Sequence, residues 1–311
     1  MVIRAGASKV RVRRSDKLRD DHLFIGTLGV NCTRYTRRCI DTVETNCREV
    51  TFFYLDNGSN DDSVAEIKSW KKNNPSINRF MCGFNGRNAG VAVGWNQLAK
   101  LADQFKATKL LICNNDINFG PYTIDGLIDA YDQLKKHDDR TVMVTATNHT
   151  KNPDELPNIK PVWKYHEHPD FSCFLVTLET FDKIGMFDPQ YDPAFFEDND
   201  YHWRILLEGY KAYGTDWAPY SHIASRTRHE NPELVPHLKF RENKIKFYRK
   251  MVTDSVDQEI AVQRYNHWLK HHPDIRHPSF EDVINFAENH GLVKDGLNDW
   301  LDNLTVWNVP N

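Results

Sequence analysis

Three short polar stretches follow apolar runs in the first 120 residues: Asp56-Asn57-Gly58-Ser59 after "VTFFYL", "NGRNAGVAVGWN" after "INRFMCGF", and Asn114-Asn115-Asp116 after "KLLIC". A carboxylate such as Asp56 accepts hydrogen bonds from a base or a ribose. A carboxylate such as Asp116 binds a hard divalent cation that bridges two phosphates. Taken singly, each stretch is also an ordinary turn signal, Asn57-Gly58 above all. Taken in order, they suit a nucleotide held by polar tips at the ends of several strands.

The elements that must deliver those tips are legible as alternating patterns. Strand-like runs cover 22–30, 49–59, 77–84, 108–116 and 141–148. Helix-like spacing covers 33–46, with Thr33 able to cap it, then 61–72 and 93–105. "FSCFLVTLETFDKIG" reads as strand then helix, and "DNDYHWRILLEGYKA" as a helix closed by Gly209. This alternation predicts an α/β fold with a mixed, mostly parallel sheet and flanking helices. The near-continuous apolar run of 108–113 predicts a strand covered on both faces. Residues 150–170 carry four prolines and no period, the signature of a long loop. Beyond about residue 234 the spacing turns wholly helical, with Ser255 and Ser279 as candidate caps. Three regions follow: a basic arm over 1–20, an α/β domain over 21–233 and a helical C-terminal region over 234–311.

Composition narrows the function classes. The chain has 311 residues, 40% hydrophobic and 12% aromatic, which is ample for a buried core. Its apolar runs fall short of the roughly 20 residues that cross a bilayer, and the N-terminal stretch lacks the apolar segment of a secretory leader. The six cysteines are scattered without a C-x-x-C, as in a reduced compartment, so a cytoplasmic location is expected. Net charge is −3, yet residues 1–20 and 226–250 are each net +5, a distribution suited to phosphorylated ligands or nucleic acid. Neither G-x-G-x-x-G after the first strand nor G-x-x-x-x-G-K-[ST] occurs, which removes the main support for nicotinamide and P-loop readings.

"VTFFYLDNGSNDDS", "NGRNAGVAVGWNQLAK", "LLICNNDINF" and "FSCFLVTLETFDKIGMFDPQYDPAFFEDNDYHWRILLEGYK" together resemble the successive blocks of family 2 glycosyltransferases of the GT-A fold. The resemblance spans roughly residues 22–230. It implies an inverting, metal-dependent transfer of a single sugar from a nucleotide-diphosphate donor, UDP-linked by expectation, with Mn2+ or Mg2+. It places Asp56 on the base and Asn114-Asn115-Asp116 on metal and diphosphate, with Asn57, Asn88, Gly90 and Asn96 completing the donor contacts. His222 joins Asp116 as a metal ligand, and Glu197-Asp198 supplies the general base, Asp198 foremost. Asn114 stands where the family often has an aspartate, which puts the metal on Asp116. The Q-x-x-R-W block of processive synthases is missing.

The chemistry suits those residue types on its own terms. Displacing a nucleoside diphosphate from a sugar carbon requires neutralising the leaving group and deprotonating the acceptor hydroxyl from the opposite side. Asp198 can take the proton; Asp200, two residues on, points elsewhere in a helix start and is expected to cap or pair, with Arg204 as its i,i+4 partner. His166 and His168 are expected in solvent. Trp163, Tyr165 and Phe171 either stack on a ligand or pin their loop, Trp95 belongs to the core, and Gly90 and Gly94 permit close approach of a nucleotide or of a packed helix. The acceptor is open between a glycan, a lipid-linked glycan and a hydroxymethylated DNA base reached through the basic clusters. A catalytically inactive sugar-nucleotide-binding protein is the non-enzymatic alternative.

Overall fold

The first strand, β1 (Arg19–Gly29), is apolar on both sides: Leu23 and Ile25 join one buried cluster and Phe24 another. The same division runs along β2 (Cys47–Asp56), where Phe52 and Tyr54 oppose Phe53 and Leu55. Successive side chains of a strand face opposite ways, so strands apolar at every position must be covered twice. Helices α1 (Thr33–Asp41), α2 (Ser63–Ser69) and α4 (Thr123–His137) cover one face, and α3 (Val91–Gln104), α5 (Leu178–Ile184) and α6 (Glu197–Leu207) the other. This computed structural model describes residues 18–31, 33–69, 74–167, 169–222 and 229–253.

The remaining strands are β3 (Arg79–Phe84), β4 (Lys109–Asn114), β5 (Ile117–Phe119), β6 (Thr141–Thr150), β7 (Tyr165–His166), β8 (Cys173–Val176) and β9 (Lys211–His222). They form one mixed sheet in the order β3-β2-β1-β4-β8-β6-β9-β5, with β7 paired to β9. Strands β3, β2, β1, β4, β6 and β9 run the same way and β5, β7 and β8 oppose them. Register aligns the carboxyl ends: Gly29 pairs with Asp56, Leu28 with Asn114, and Asp56 with Phe84. The polar tips read from the sequence therefore emerge at one edge.

Several boundaries differ from the sequence expectation for physical reasons. The first helix ends at Asp41 rather than 46, because Asn74 Nδ2 donates to the carbonyls of Ile40 and Val43 at 2.9 Å and terminates the ladder. Strand β4 stops at Asn114, and Asn115-Asp116 turn the chain into β5. No element is expected over 117–140, yet β5 and α4 lie there; α4 buries Ile124, Leu127, Ile128, Tyr131 and Leu134 at helical spacing. Strand β9 is likewise unexpected. The 150–170 loop contains a 3-10 turn, Pro153–Asn158, with Asn152 accepting from the Asp154 amide. A further helix, α7 (Phe240–Thr253), packs against α6. Of the arm expected over 1–20, Arg19 and Asp20 instead belong to β1, where Arg19 pairs with Cys47 of β2, and residues 1–17 lie outside the described residues, as do the end of the 61–72 helix and the helices beyond 253. No helix among the described residues is long and apolar enough to cross a membrane.

Gly58 fixes the turn after β2 against the following loop. Its φ is +91°, and a Cβ there would stand 2.2 Å from the Arg87 carbonyl carbon and 2.4 Å from the Asn88 nitrogen. Both obstacles are backbone. Gly58→Ala is expected to cost at least about 2 kcal/mol, combining left-handed strain with overpacking, and urea unfolding midpoints read it.

Candidate active site

Two candidate residues remote in sequence meet at the carboxyl edge of the sheet. Asp116 follows β4, His222 ends β9, and antiparallel β5 sets Ile117 opposite His222. His222 Nε2 lies 3.0 Å from Asp116 Oδ1, and the two residues are only 8% and 7% exposed. Burial acts to lower the His222 pKa, but the hydrogen bond and charge of Asp116, with the charge of Asp170, outweigh it and raise it above the ordinary value. Asn148 grips the backbone beneath, accepting from His222 N at 3.2 Å and donating to His222 O at 3.4 Å. Asn115 is buried and donates to Thr36 Oγ1 at 3.1 Å, while Asn114 N donates to Ser172 O.

A cavity of about 380 Å³ opens over this pair. Leu28, Gly29 and Val30 meet it from β1, Asn57 and Asn88 from the loops after β2 and β3, and Asn114, Asn115, Asp116 and His222 from the sheet edge. Val91, Trp95 and the 193–195 segment form a wall, and Leu234, His237 and Leu238 close it from the C-terminal side. Trp95 packs edge-on against Phe187 and Phe174, so it is a core residue with one face on the cavity.

Asp56 is placed differently from the sequence expectation. It is 1% exposed, and its own turn consumes the carboxylate: Gly58 N and Ser59 N donate to Oδ1 at 3.1 and 3.0 Å, and Tyr54 Oη and Ser59 Oγ donate to Oδ2. It lies behind the cavity and does not line it. Asn57 is also fully engaged, donating to Asn88 Oδ1 and Gly90 O and accepting from Asn85 Nδ2 and Ala89 N, which ties the loops after β2 and β3 together. Gly90 approaches protein rather than cavity: its φ is +85°, and a Cβ would lie 3.1 Å from Asp192 Oδ1 and 3.2 Å from Pro193 O. Gly94 makes room for Leu28. Asn96 spends both ends of its amide on the Phe187 backbone, at 2.8 and 2.9 Å, and is a loop clamp.

The acidic pair opens α6. Glu197 is 6% exposed and its Oε2 has no hydrogen-bond partner; burial first, then the charge of Asp198, pushes its pKa well above the carboxylate range. Asp198 is half-buried and accepts from Asn199 N at 2.8 Å; burial raises its pKa against that hydrogen bond, and the charge of Asp170 adds to the rise. Asp200 is wholly enclosed, bonded to Tyr191 Oη, Arg204 Nε and Lys250 Nζ, which makes it the structural partner expected of it. Asp170, unremarked in the sequence reading, accepts from Tyr220 Oη at 2.6 Å and Ser172 N at 2.9 Å. Its charge is felt by both His222 and Asp198. Asp116 and His222 thus share one cavity, Asp198 stands beyond its wall with Asp170 as a common neighbour, and Asp56 lies beneath. Asp170 had only one sequence signal, an acidic residue just before an apolar strand.

The loop aromatics divide. Phe171 is buried between Trp95 and Phe187, whereas Trp163 is 39% exposed and rests edge-on against Trp217 at 4.4 Å. His166 is not simply solvated: Nε2 lies 3.1 Å from Thr147 Oγ1 and 3.7 Å from Asp216 Oδ1, while His168 is outside the described residues. The basic C-terminal cluster is partly committed within the molecule, with Lys239, Lys246 and Lys250 reaching Asp192, Gln190 O and Asp188.

Asp116 and His222 suit a hard cation as far as two donors can. Bonds of about 2.1 Å in an octahedral site put adjacent donors roughly 3 Å apart, which is the separation of this pair. No group of three His, Cys, Asp or Glu that could hold a metal occurs among the described residues, so water or phosphate oxygens would fill the other positions.

No family model matches the chain. A galactofuranosyl glycosyltransferase of Leishmania donovani is 36% identical over 60 residues, a stretch that is 19% of this chain and 14% of that protein. The match therefore spans about a seventh of that relative. Among solved structures, the mannosyltransferase PcManGT from Pyrobaculum calidifontis, in complex with GDP-Man and Mn2+, aligns with a TM-score of 0.57 and 12% identity, covering 91% of this chain and 84% of that one. GalNAc-T7 with UDP, GalNAc and Mn2+ aligns with a TM-score of 0.49 and 13% identity, covering 92% of this chain and 56% of that one. The chain has the GT-A fold.

Glu197 makes a testable burden on stability. Its carboxyl is held neutral more readily folded than unfolded, so the stability it contributes is complete below about pH 4 and is lost as pH rises through its raised folded value. Glu197→Gln is expected to raise the melting temperature at neutral pH, with the gain vanishing in acid. A pH-independent loss would contradict this account.

Proposed function

We propose that the chain is a glycosyltransferase that moves one sugar from a nucleotide-diphosphate donor to an acceptor hydroxyl, with inversion at the anomeric carbon. The observation that carries the reading is the buried Asp116–His222 pair on the floor of the cavity, with the acidic turn just beyond its wall. The fold and the partial match to a galactofuranosyl glycosyltransferase support the same class. The donor is taken to be UDP-linked.

Asp116 and His222 would hold a divalent cation, which when bound neutralises charge building on the departing diphosphate. Asn115 and Asn148 keep those two side chains in place through their neighbours, Thr36 and the His222 backbone. Asn88, rather than the enclosed Asp56 or the fully engaged Asn57, presents its amide to the donor. Asp198 accepts the proton of the acceptor hydroxyl as that oxygen attacks from the side opposite the diphosphate, so one displacement inverts the centre. Burial that raises its pKa makes it a stronger base once ionised. Val91, Trp95 and Phe195 exclude water from the reacting carbon.

The test is nucleoside diphosphate release from a panel of nucleotide sugars with manganese. Asp198→Asn is expected to lower kcat by about 100-fold to 10,000-fold, and Asp116→Asn to abolish the dependence on manganese. Turnover should rise with pH through a midpoint above the ordinary aspartate value, since the base must be ionised. Failure to turn over any donor, with nucleotide still bound, would leave a sugar-nucleotide-binding protein instead.

A further inference from the structure

We infer that Asn243 of α7 is the positioning residue that sets the acidic turn at the catalytic centre, an inference that rests on the glycosyl-transfer reading. Phe195 and Phe196, immediately before Glu197-Asp198, both have left-handed backbone, with φ of 76° and 72°. Two consecutive bulky residues in that region are disfavoured and persist only where the surroundings over-determine them. No side chain caps α6, whose first turn takes its direction from Phe196 itself.

The surroundings that hold this reversal come from two helices. From α3, Val91 N donates to Pro193 O at 2.8 Å. From α7, Asn243 Nδ2 donates to Ala194 O at 2.9 Å and Phe195 O at 3.3 Å, and lies 3.5 Å from Asp192 O. Asn243 is 0% exposed, so its amide has no solvent partner in place of these carbonyls. Around it, the Phe240 ring stands 5.2 Å from both Phe195 and Phe196, and Lys250 ties down Asp188 and Asp200 at the two ends of the segment.

Asp116 and His222 belong to other elements, the turn after β4 and the end of β9. Losing Asn243 should therefore displace Asp198 while leaving the cation and diphosphate site intact. The effect belongs on kcat and not on donor affinity.

The experiment compares full-length wild type with Asn243→Leu, similar in size but without the donor. Expected are a fall in kcat of about 100-fold, as for a catalytic group misplaced by an ångström, with KM and calorimetric UDP–manganese affinity unchanged. Hydrogen exchange should quicken over 190–200 and stay as in wild type over β1, β2 and β4. Unchanged kcat, or kcat and UDP affinity lost together, would overturn the positioning role. If Asn243→Leu does not fold, Asn243→Asp, isosteric but unable to donate, faces the same criteria. A wild type with no turnover of any nucleotide sugar overturns the glycosyl-transfer reading, and the positioning role with it; turnover in wild type alongside an undisturbed variant overturns the positioning role alone.

Discussion

The contact between Asp116 and His222 depends on β5 beginning beside the end of β9, and most of the fold serves that coincidence. Strand β4 is held in parallel register to β1, so Asn114 reaches the edge beside Leu28. Strand β9 is held parallel to β6 and pinned across β5, so His222 arrives opposite Ile117. A one-residue slip in either pairing would turn these side chains to the other face. The interiors of both strands resist such a slip, because Leu110 to Cys113 of β4 and Ala212 to Thr215 and Trp217 to His222 of β9 are all buried.

Around that pair, the polar interior is organised by asparagine amides acting as two-ended clamps. Asn57 joins two loops, Asn74 ends α1, Asn96 holds the Phe187 backbone, Asn148 holds the His222 backbone and Asn243 holds the acidic turn. An amide offers two donors and an acceptor without charge, so it can satisfy buried backbone groups without the desolvation cost of an ion. Carboxylates are used more sparingly. Asp56 and Asp200 are saturated by fixed donors, whereas Glu197 keeps an oxygen with no partner and Asp198 has a single short amide contact. That difference separates structural acids from those available for proton transfer.

The wall between the cavity and the acidic turn links these two themes. Phe187 stacks on Tyr201 at 4.1 Å and meets Trp95 edge-on beneath it, and α7 presses on it from the other side. Rigid aromatic packing below and a hydrogen-bonded helix above leave the segment little freedom, which suits a group that must face a bound donor at fixed geometry.

Alternation of apolar runs with polar tips was readable in the chain itself, because a doubly covered parallel strand has a composition of its own and its end must be polar to leave the core. That sufficed for most of the sheet and its helical cover, β5, β9 and α4 excepted, and for the candidacy of Asp116, whereas Asp198 was marked by the family resemblance of the "FFED" block. Helix α4 escapes that reading although Ile124, Leu127, Ile128, Tyr131 and Leu134 carry helical spacing. Asp56 is held inward by its own turn at Gly58 and Ser59, a local arrangement; tertiary structure alone decided that Asn96 and Gly90 serve the scaffold, that Asp170 neighbours both ends of the site, and that α7 reaches the acidic turn. Each of these hangs on hydrogen bonds or charges between residues remote in sequence, and no local spacing records which distant carbonyl an amide will meet.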